Sequence, residues 1–465
     1  MQSMVLFGVM RARVRTEYLL IVALAALVSG LMHGPINSVL PALYSSEFGI
    51  DLALIGTLLL AARLFDAISD PLIGLFSDKT QSKFGKRKPW IAPGAVMVAV
   101  FGYFLFTPGE NANAAYFLAF FMLLYFAWTV QEIPFAAWIL ELSRDTKERA
   151  RINGFRGAGI LAGTILFTLA PTLIPDANGE MSFKVLNIVA IIMLVAVPLA
   201  SFLLIAIVPQ GEVIQDAPPP KFTELWSAVI SNRPFLIFIA AYLFLGMHYG
   251  FFWSLAFIYM DSYLGIGDKY TQLFLPFFMI APLAIPCWVW LMNRFGKYRV
   301  VAVAYTITLF ILPLPWFISP GPQSFYPLLA YYVVSGFFYP LFMVPMMTIL
   351  GDIIDLDEVN TGKNRSGQYL AVLTFMAKTT QALGVSLGLI IVGLAGFQPG
   401  AETQTEQGVL GLRIVFNFFP ALTLLPAVLI LWRFPITDQS QKDIERRLRN
   451  MRQPAPANLR AAEVN

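Results

Sequence analysis

Asp66 and Asp70 lie four residues apart in the stretch Ala62-Arg63-Leu64-Phe65-Asp66-Ala67-Ile68-Ser69-Asp70-Pro71. That stretch sits inside an apolar run from about Leu52 to Phe76, long enough to cross a bilayer as a helix. At this spacing the two carboxylates share one helix face, with Ser69 beside them and Arg63 stacked on the same side. A charged side chain at the bilayer centre costs roughly 2.5–3.5 kcal/mol on insertion scales, so such groups mark function by default. Two neighbouring carboxylates do not both stay ionised cheaply without a cation or a proton. The face therefore reads as a site for a coupling cation. The competing reading is that Asp66 and Asp70 pair with basic residues only to lock helices together.

Further polar groups occur in other apolar runs. Thr129 and Glu132 are three residues apart, hence on one face, just before a kink expected at Pro134. Arg156 stands among Gly154, Gly157, Gly159 and Gly163, small residues that let helices approach closely. Lys378 lies about ten residues inside its run, too deep for easy snorkelling. Arg63, Asp66, Asp70, Glu132, Arg156 and Lys378 make three acids and three bases, which neutralise one another if they face one cavity. Oxygen ligands from Asp66, Ser69, Asp70 and Thr129 suit a hard cation, so Na+ is a candidate metal at Asp66 and Asp70. A proton needs only one receptive carboxylate, and the choice of ion stays open.

The elements that must position these groups follow from composition. Of 465 residues, 57% are hydrophobic and 13% charged, and the mean hydropathy is +0.68; a soluble chain carries nearly twice that share of charge. The chain is an all-α polytopic membrane protein. One cysteine, Cys287, and two histidines, His33 and His248, rule out an intrachain disulfide and exclude the common zinc and haem enzymes. No nucleophile elbow or histidine pair at useful spacing supports an intramembrane enzyme. No cofactor is expected. Apolar runs predict spans near 17–44, 52–77, 89–107, 114–141, 153–174, 185–208, 234–263, 270–293, 299–318, 325–350, 368–395 and 409–433, numbered one to twelve below.

Linkers alternate in charge. Lys79, Lys83, Lys86, Arg87 and Lys88 occupy one, and Arg144, Lys147, Arg149 and Arg151 another, while the opposite linkers hold little beyond Lys184 and Lys269. The positive-inside rule places both termini in the cytoplasm and accounts for the basic pI without a nucleic-acid partner. The expected order is a cytoplasmic tail (1–16), a six-helix bundle (17–209), a cytoplasmic linker (210–233) holding Pro218-Pro219-Pro220, a second six-helix bundle (234–434) and a cytoplasmic tail (435–465). That last tail is either a short basic amphipathic helix over Lys442–Arg449 or an ordinary solvated segment.

Phe84-Gly85-Lys86-Arg87-Lys88 after span two matches Phe295-Gly296-Lys297-Tyr298-Arg299 after span eight. A repeat offset of six spans implies parallel, pseudo-symmetric halves, the plan of major facilitator carriers. The chain also resembles the glycoside–pentoside–hexuronide:cation symporters, the melibiose-carrier family of that superfamily. The resemblance rests on Asp66-Ala67-Ile68-Ser69-Asp70-Pro71-Leu72-Ile73-Gly74, on Gly85-Lys86-Arg87-Lys88-Pro89-Trp90, on Glu132-Ile133-Pro134-Phe135, and on Gly351-Asp352-Ile353-Ile354-Asp355 running through Thr361-Gly362 to Lys378. It implies that Asp66, Asp70 and Thr129 match cation-site positions, and that Glu132, Arg156 and Lys378 match positions at or near the sugar and the coupling network. Four positions depart from the family pattern. Ser69 stands where sodium-using melibiose carriers have an asparagine. Ser29 and Gly30 replace a Lys-Asp pair, and Ala136 replaces a tryptophan.

His33 and Asn37, His248, Trp128 and Trp253 are further candidates for the cavity wall. Asp352 and Asp355 at the end of span ten are expected to gate with Arg144, Arg151, Lys363 or Arg365. The expected activity is symport of a sugar or glycoside with Na+ or H+ by a monomeric carrier in a bacterial inner membrane. The alternative cargo is an amphipathic, lysolipid-like solute, which relatives of this family handle. A transport-dead sensor is the remaining alternative.

Overall fold

The computed structural model describes residues 13–143, 145–210, 230–342, 344–363 and 365–452, without the side chains of 33–35, 37, 146 and 452. Among the described residues eleven helices are long and apolar enough to cross a membrane, and a twelfth, shorter apolar helix precedes them. Span one is Thr16–Gly34, a π turn Pro35–Val39 and Leu40–Phe48. Spans two to six are Leu52–Lys79, Lys88–Phe106, Ala114–Glu141, Thr146–Leu173 and Phe183–Ile207. Spans seven to nine are Arg233–Ile258, Tyr270–Phe295 and Lys297–Ile311. Span ten is broken into Phe325–Phe338, a 3-10 turn Tyr339–Phe342 and Val344–Thr361; spans eleven and twelve are Ser366–Leu394 and Glu406–Trp432. The chain is an integral multi-pass protein of major facilitator architecture.

Side-chain caps start several spans by satisfying backbone donors the helix leaves free. Asp51 accepts from the Ala53 and Leu54 amides at 2.7 and 3.1 Å, Asn113 from Tyr116 at 3.0 Å, and Asn232 from Phe235 at 3.1 Å.

The packing repeats with the sequence. Span one lies along span five as span seven lies along span eleven; spans two and four pair as eight and ten do, and three and six as nine and twelve do. Glycines permit the closest of these crossings. A Cβ at Gly163 would sit 1.9 Å from the Leu27 carbonyl oxygen, and one at Gly384 would sit 2.3 Å from that of Met247. Two further pairings, span two on eleven and span five on eight, join the halves. They close at the end away from the basic linkers. There a Cβ on Gly393 would meet the Ala53 amide at 2.2 Å, and Thr271 donates to the Thr168 carbonyl at 2.8 Å. At the basic end, by contrast, Arg87 bridges to Asp78 (2.6 Å) and Glu141 (2.8 Å), and Lys297 to Asp352, each within one half. The C-terminal residues Asp438–Arg452 form a helix that buries Gln441, Ile444 and Leu448 and packs on the end of span ten.

Candidate functional site

Span two supplies the centre of the site because its polar residues recur at three- and four-residue intervals, so they line one face. Asp66 and Ser69 are buried while Leu64 and Ile68 on the opposite face are exposed. The Arg63 guanidinium donates to Asp66 Oδ2 at 3.2 Å and to the Tyr125 hydroxyl at 2.7 Å, and it lies over the Tyr125 ring at 4.3 Å. The second carboxylate oxygen, Asp66 Oδ1, is buried and has no hydrogen-bond partner. Ser69 Oγ makes only a long contact, 3.4 Å, to the Asp66 carbonyl oxygen.

Asp70 is held from two other spans. Thr129 donates to Asp70 Oδ1 at 2.8 Å, and Lys378 Nζ to Asp70 Oδ2 at 2.7 Å. The lysine comes from span eleven, so this ion pair joins the two halves. One turn along span four from Thr129, Glu132 pairs with Arg156 of span five. Arg156 Nε is buried without a partner.

These groups border a cavity with about 960 Å³ of empty space, including its mouth. Arg63, Asp66, Thr129, Glu132, Arg156 and Lys378 all line it, with Ser29, Tyr125, Trp128 and Gln381. Five of the six intramembrane charges therefore face one hollow, and the sixth, Asp70, is bonded to two of its lining residues. A wider cavity of about 1740 Å³ adjoins it through the shared residues Arg156, Ile160 and Gln381, and Trp253 lies in its wall.

Other candidates fall elsewhere. His248 is buried and borders a small hollow with Thr308 and Ser335 inside the second half, which shares Tyr249 and Tyr339 with the wider cavity. Its neighbours Tyr242, Tyr249 and Trp253 take the cavity-facing side of span seven, and the 100° step from Tyr249 to His248 turns the imidazole away. Arg144 and the side chains of His33 and Asn37 lie outside the described residues. Of the residues read as a gate, three have partners in their own halves: Asp352 with Lys297 and Tyr298, Arg151 with Glu148 (2.8 Å), and Arg365 with Asp357 (2.7 Å). Lys363 is exposed, and Asp355 has a partner of its own. Sequence reasoning passed over Gln381, whose place three residues after Lys378 on the same face was the available signal.

Twelve spans in two repeated halves around a central polar cavity define a major facilitator transporter. Among solved structures, a bacterial homologue of the human lysosomal transporter Spinster, in an inward-facing and unoccupied conformation, superposes with a TM-score of 0.66 at 14% identity, covering 95% of this chain and 99% of its own. The chain belongs to the MFS/sugar transport protein family, whose profile matches residues 21–438. It is 26% identical to an uncharacterised symporter of Synechocystis, over 87% of this chain and 91% of the relative. It is 22% identical to the sodium-dependent lysophosphatidylcholine symporter 1 of Gallus gallus (85% and 82% covered) and 23% identical to a glucuronide carrier protein homologue of Escherichia coli (86% and 88% covered). The family and these relatives are transporters, and the chain is a secondary symporter rather than an enzyme.

Proposed function

We propose that this symporter couples entry of Na+ or H+ at Asp66 and Asp70 to movement of a sugar or glycoside through the central cavity by alternating access. The ion pair between Asp70 and Lys378 carries the reading, because it ties the site of a carboxylate pair to the contact between the halves. Asp66 Oδ1, Asp70, Thr129 Oγ1 and Ser69 Oγ supply the oxygen atoms a hard cation takes. A sodium ion arriving there adds a charge to a cluster already balanced by Arg63 and Lys378, so it competes with Lys378 for Asp70. A proton on Asp70 has the same effect by removing the charge Lys378 answers. Either event loosens a bond between spans two and eleven, and so changes the relative energies of the two arrangements of the halves. Glu132, Arg156 and Lys378, with Trp128 in the cavity wall, are the groups proposed to meet the cargo.

The closed end lies opposite the basic linkers, which the positive-inside rule places in the cytoplasm. This arrangement is proposed as the inward-open one, in a monomer of a bacterial inner membrane with the two bundles divided near 210–233. The second reading, an amphipathic cargo, is favoured by the size and apolar wall of the wider cavity and by the lysophosphatidylcholine symporters among the relatives. The test is uptake into proteoliposomes with imposed Na+ or H+ gradients and a panel of labelled sugars, glycosides and lysolipids. Accumulation driven by one of the gradients is expected; uptake that only equilibrates, whatever the gradient, contradicts the proposal.

A further inference from the structure

We propose that Tyr125 is a positioning residue for the coupling ion: by taking one arm of the Arg63 guanidinium, it keeps an oxygen of Asp66 open for that ion. The inference rests on the reading of Asp66 and Asp70 as the coupling site.

The planar guanidinium fork matches a carboxylate and can close on it with two parallel N–H···O bonds. Here the fork is split. One terminal nitrogen, Arg63 Nη1, reaches Asp66 Oδ2 at 3.2 Å, long for a charge-assisted bond, where about 2.7–2.9 Å is usual. The other, Nη2, donates to the Tyr125 hydroxyl at 2.7 Å, and the guanidinium lies over the Tyr125 ring at 4.3 Å. The firmer hold on Arg63 therefore comes from span four. Asp66 Oδ1, the oxygen that the second arm would otherwise take, is buried and has no hydrogen-bond partner among the described residues. A buried anionic oxygen without a donor is costly until a cation or a proton answers it.

Tyr125 is itself fixed. Its ring stacks on Phe121 at 4.6 Å with planes 30° apart and on Trp128 at 6.5 Å with planes 18° apart. The hydroxyl thus meets Arg63 from a ring already held in place, and little further freedom is lost in the contact. Without that hydroxyl, Nη2 is released to swing onto Asp66 Oδ1 and complete the fork. A sodium ion then has to displace an arginine arm before it binds, and a proton has to reach a carboxylate answered twice. The other charges around the site stay where they are: Asp70 on the same span, Glu132 of span four, Arg156 of span five and Lys378 of span eleven. The effect passes through Arg63.

Purified full-length carrier in lipid nanodiscs, parent and Tyr125→Phe, is titrated with radiolabelled Na+ and, separately, with acid while proton uptake is recorded. Tyr125→Phe keeps the ring and removes only the acceptor. It should raise the Na+ concentration for half-saturation about tenfold, the low end for losing an outer partner of a metal site, with the number of ions held per carrier unchanged. In a carrier that takes H+ instead, the proton concentration for half-maximal uptake should rise by the same factor. Tyr125→Leu, which also removes the ring beneath the guanidinium, should shift either curve at least as far. A purely structural role would instead lower the number of ions held and leave half-saturation of the folded fraction unmoved. Half-saturation in both variants equal to the parent's, or tighter, overturns the inference while the coupling site stands. Titration curves that Asp66→Asn and Asp70→Asn leave unchanged remove the coupling site itself, and the role of Tyr125 with it.

Discussion

At the scale of single residues, the site is a chain of charge pairs in which each acid has one basic partner and one acid has an oxygen to spare. Arg63 answers Asp66, Lys378 answers Asp70 and Arg156 answers Glu132. Removing one member of such a pair leaves a charge in a poorly solvated place. Arg156→Gln should lower thermal stability by roughly 3 kcal/mol, the low end of the range for a broken buried pair, because water reaches the cavity side. The double change Arg156→Gln with Glu132→Gln should recover most of that loss in the same unfolding measurement, since no unpaired charge remains. Recovery of nothing would mean that Arg156 acts by packing alone. This much was only half legible from the amino-acid order. The i,i+3 relation puts Arg63 against Asp66 on paper, and the carboxylate pair announces itself by its place in an apolar run. That Lys378 answers Asp70 was not readable, because the two residues are 308 positions apart and meet only once span eleven lies on span two. Tyr125, which takes a hydrogen bond from Arg63, was one aromatic among many in a chain that is 14% aromatic.

At the scale of elements, the crossings depend on glycines that cannot carry a side chain. Gly163→Ala and Gly384→Ala each place a methyl carbon within 2.3 Å of a backbone oxygen on the neighbouring span, so the helices must part. Such overpacking typically costs 1–3 kcal/mol, and both variants should melt earlier or fold in lower yield. Gly351→Ala serves as the control. Nothing lies within 4 Å of its Cβ position, so the change should be neutral or stabilising by about 0.5–1 kcal/mol, as expected for replacing a helical glycine. A loss at Gly351 equal to that at Gly163 would mean the crossings are not the cause. The spans themselves were readable because twenty or so apolar residues in a row leave the backbone no alternative to a helix in lipid. Their rotation was less so. His248 and Tyr249 are both plausible cavity residues by composition, and only the packing of span seven decides that Tyr249 lines the wider cavity while His248 borders only the small hollow beside it.

At the scale of the molecule, two repeated halves touch at the end away from the basic linkers and hold each other at mid-depth through Asp70 and Lys378. The repeat was visible in the paired Phe-Gly-Lys loops, whose glycines both take positive φ, 91° at Gly85 and 88° at Gly296. Which end is closed was not visible, since both arrangements of a carrier use the same sequence. Cysteines at Thr168 and Thr271, in a chain with Cys287 replaced by serine, should form a disulfide without cargo because the Thr271 side chain already reaches the Thr168 backbone there. The cross-linked carrier should lose uptake and regain it on reduction. Unimpaired uptake with the bond formed would mean the halves do not part at this end.

The carboxylate pair is where these scales meet, and its removal is the most direct test of cation coupling. Reconstituted parent, Asp66→Asn and Asp70→Asn carriers can be compared for uptake of an accumulated solute under the same imposed gradient. Both variants should still insert, at some cost in stability from the Arg63 or Lys378 left unpaired, but lose accumulation above equilibrium, because no anionic oxygen then pairs with the incoming ion at that position. Accumulation by both at the parent's level would contradict the assignment of Asp66 and Asp70 as the coupling site.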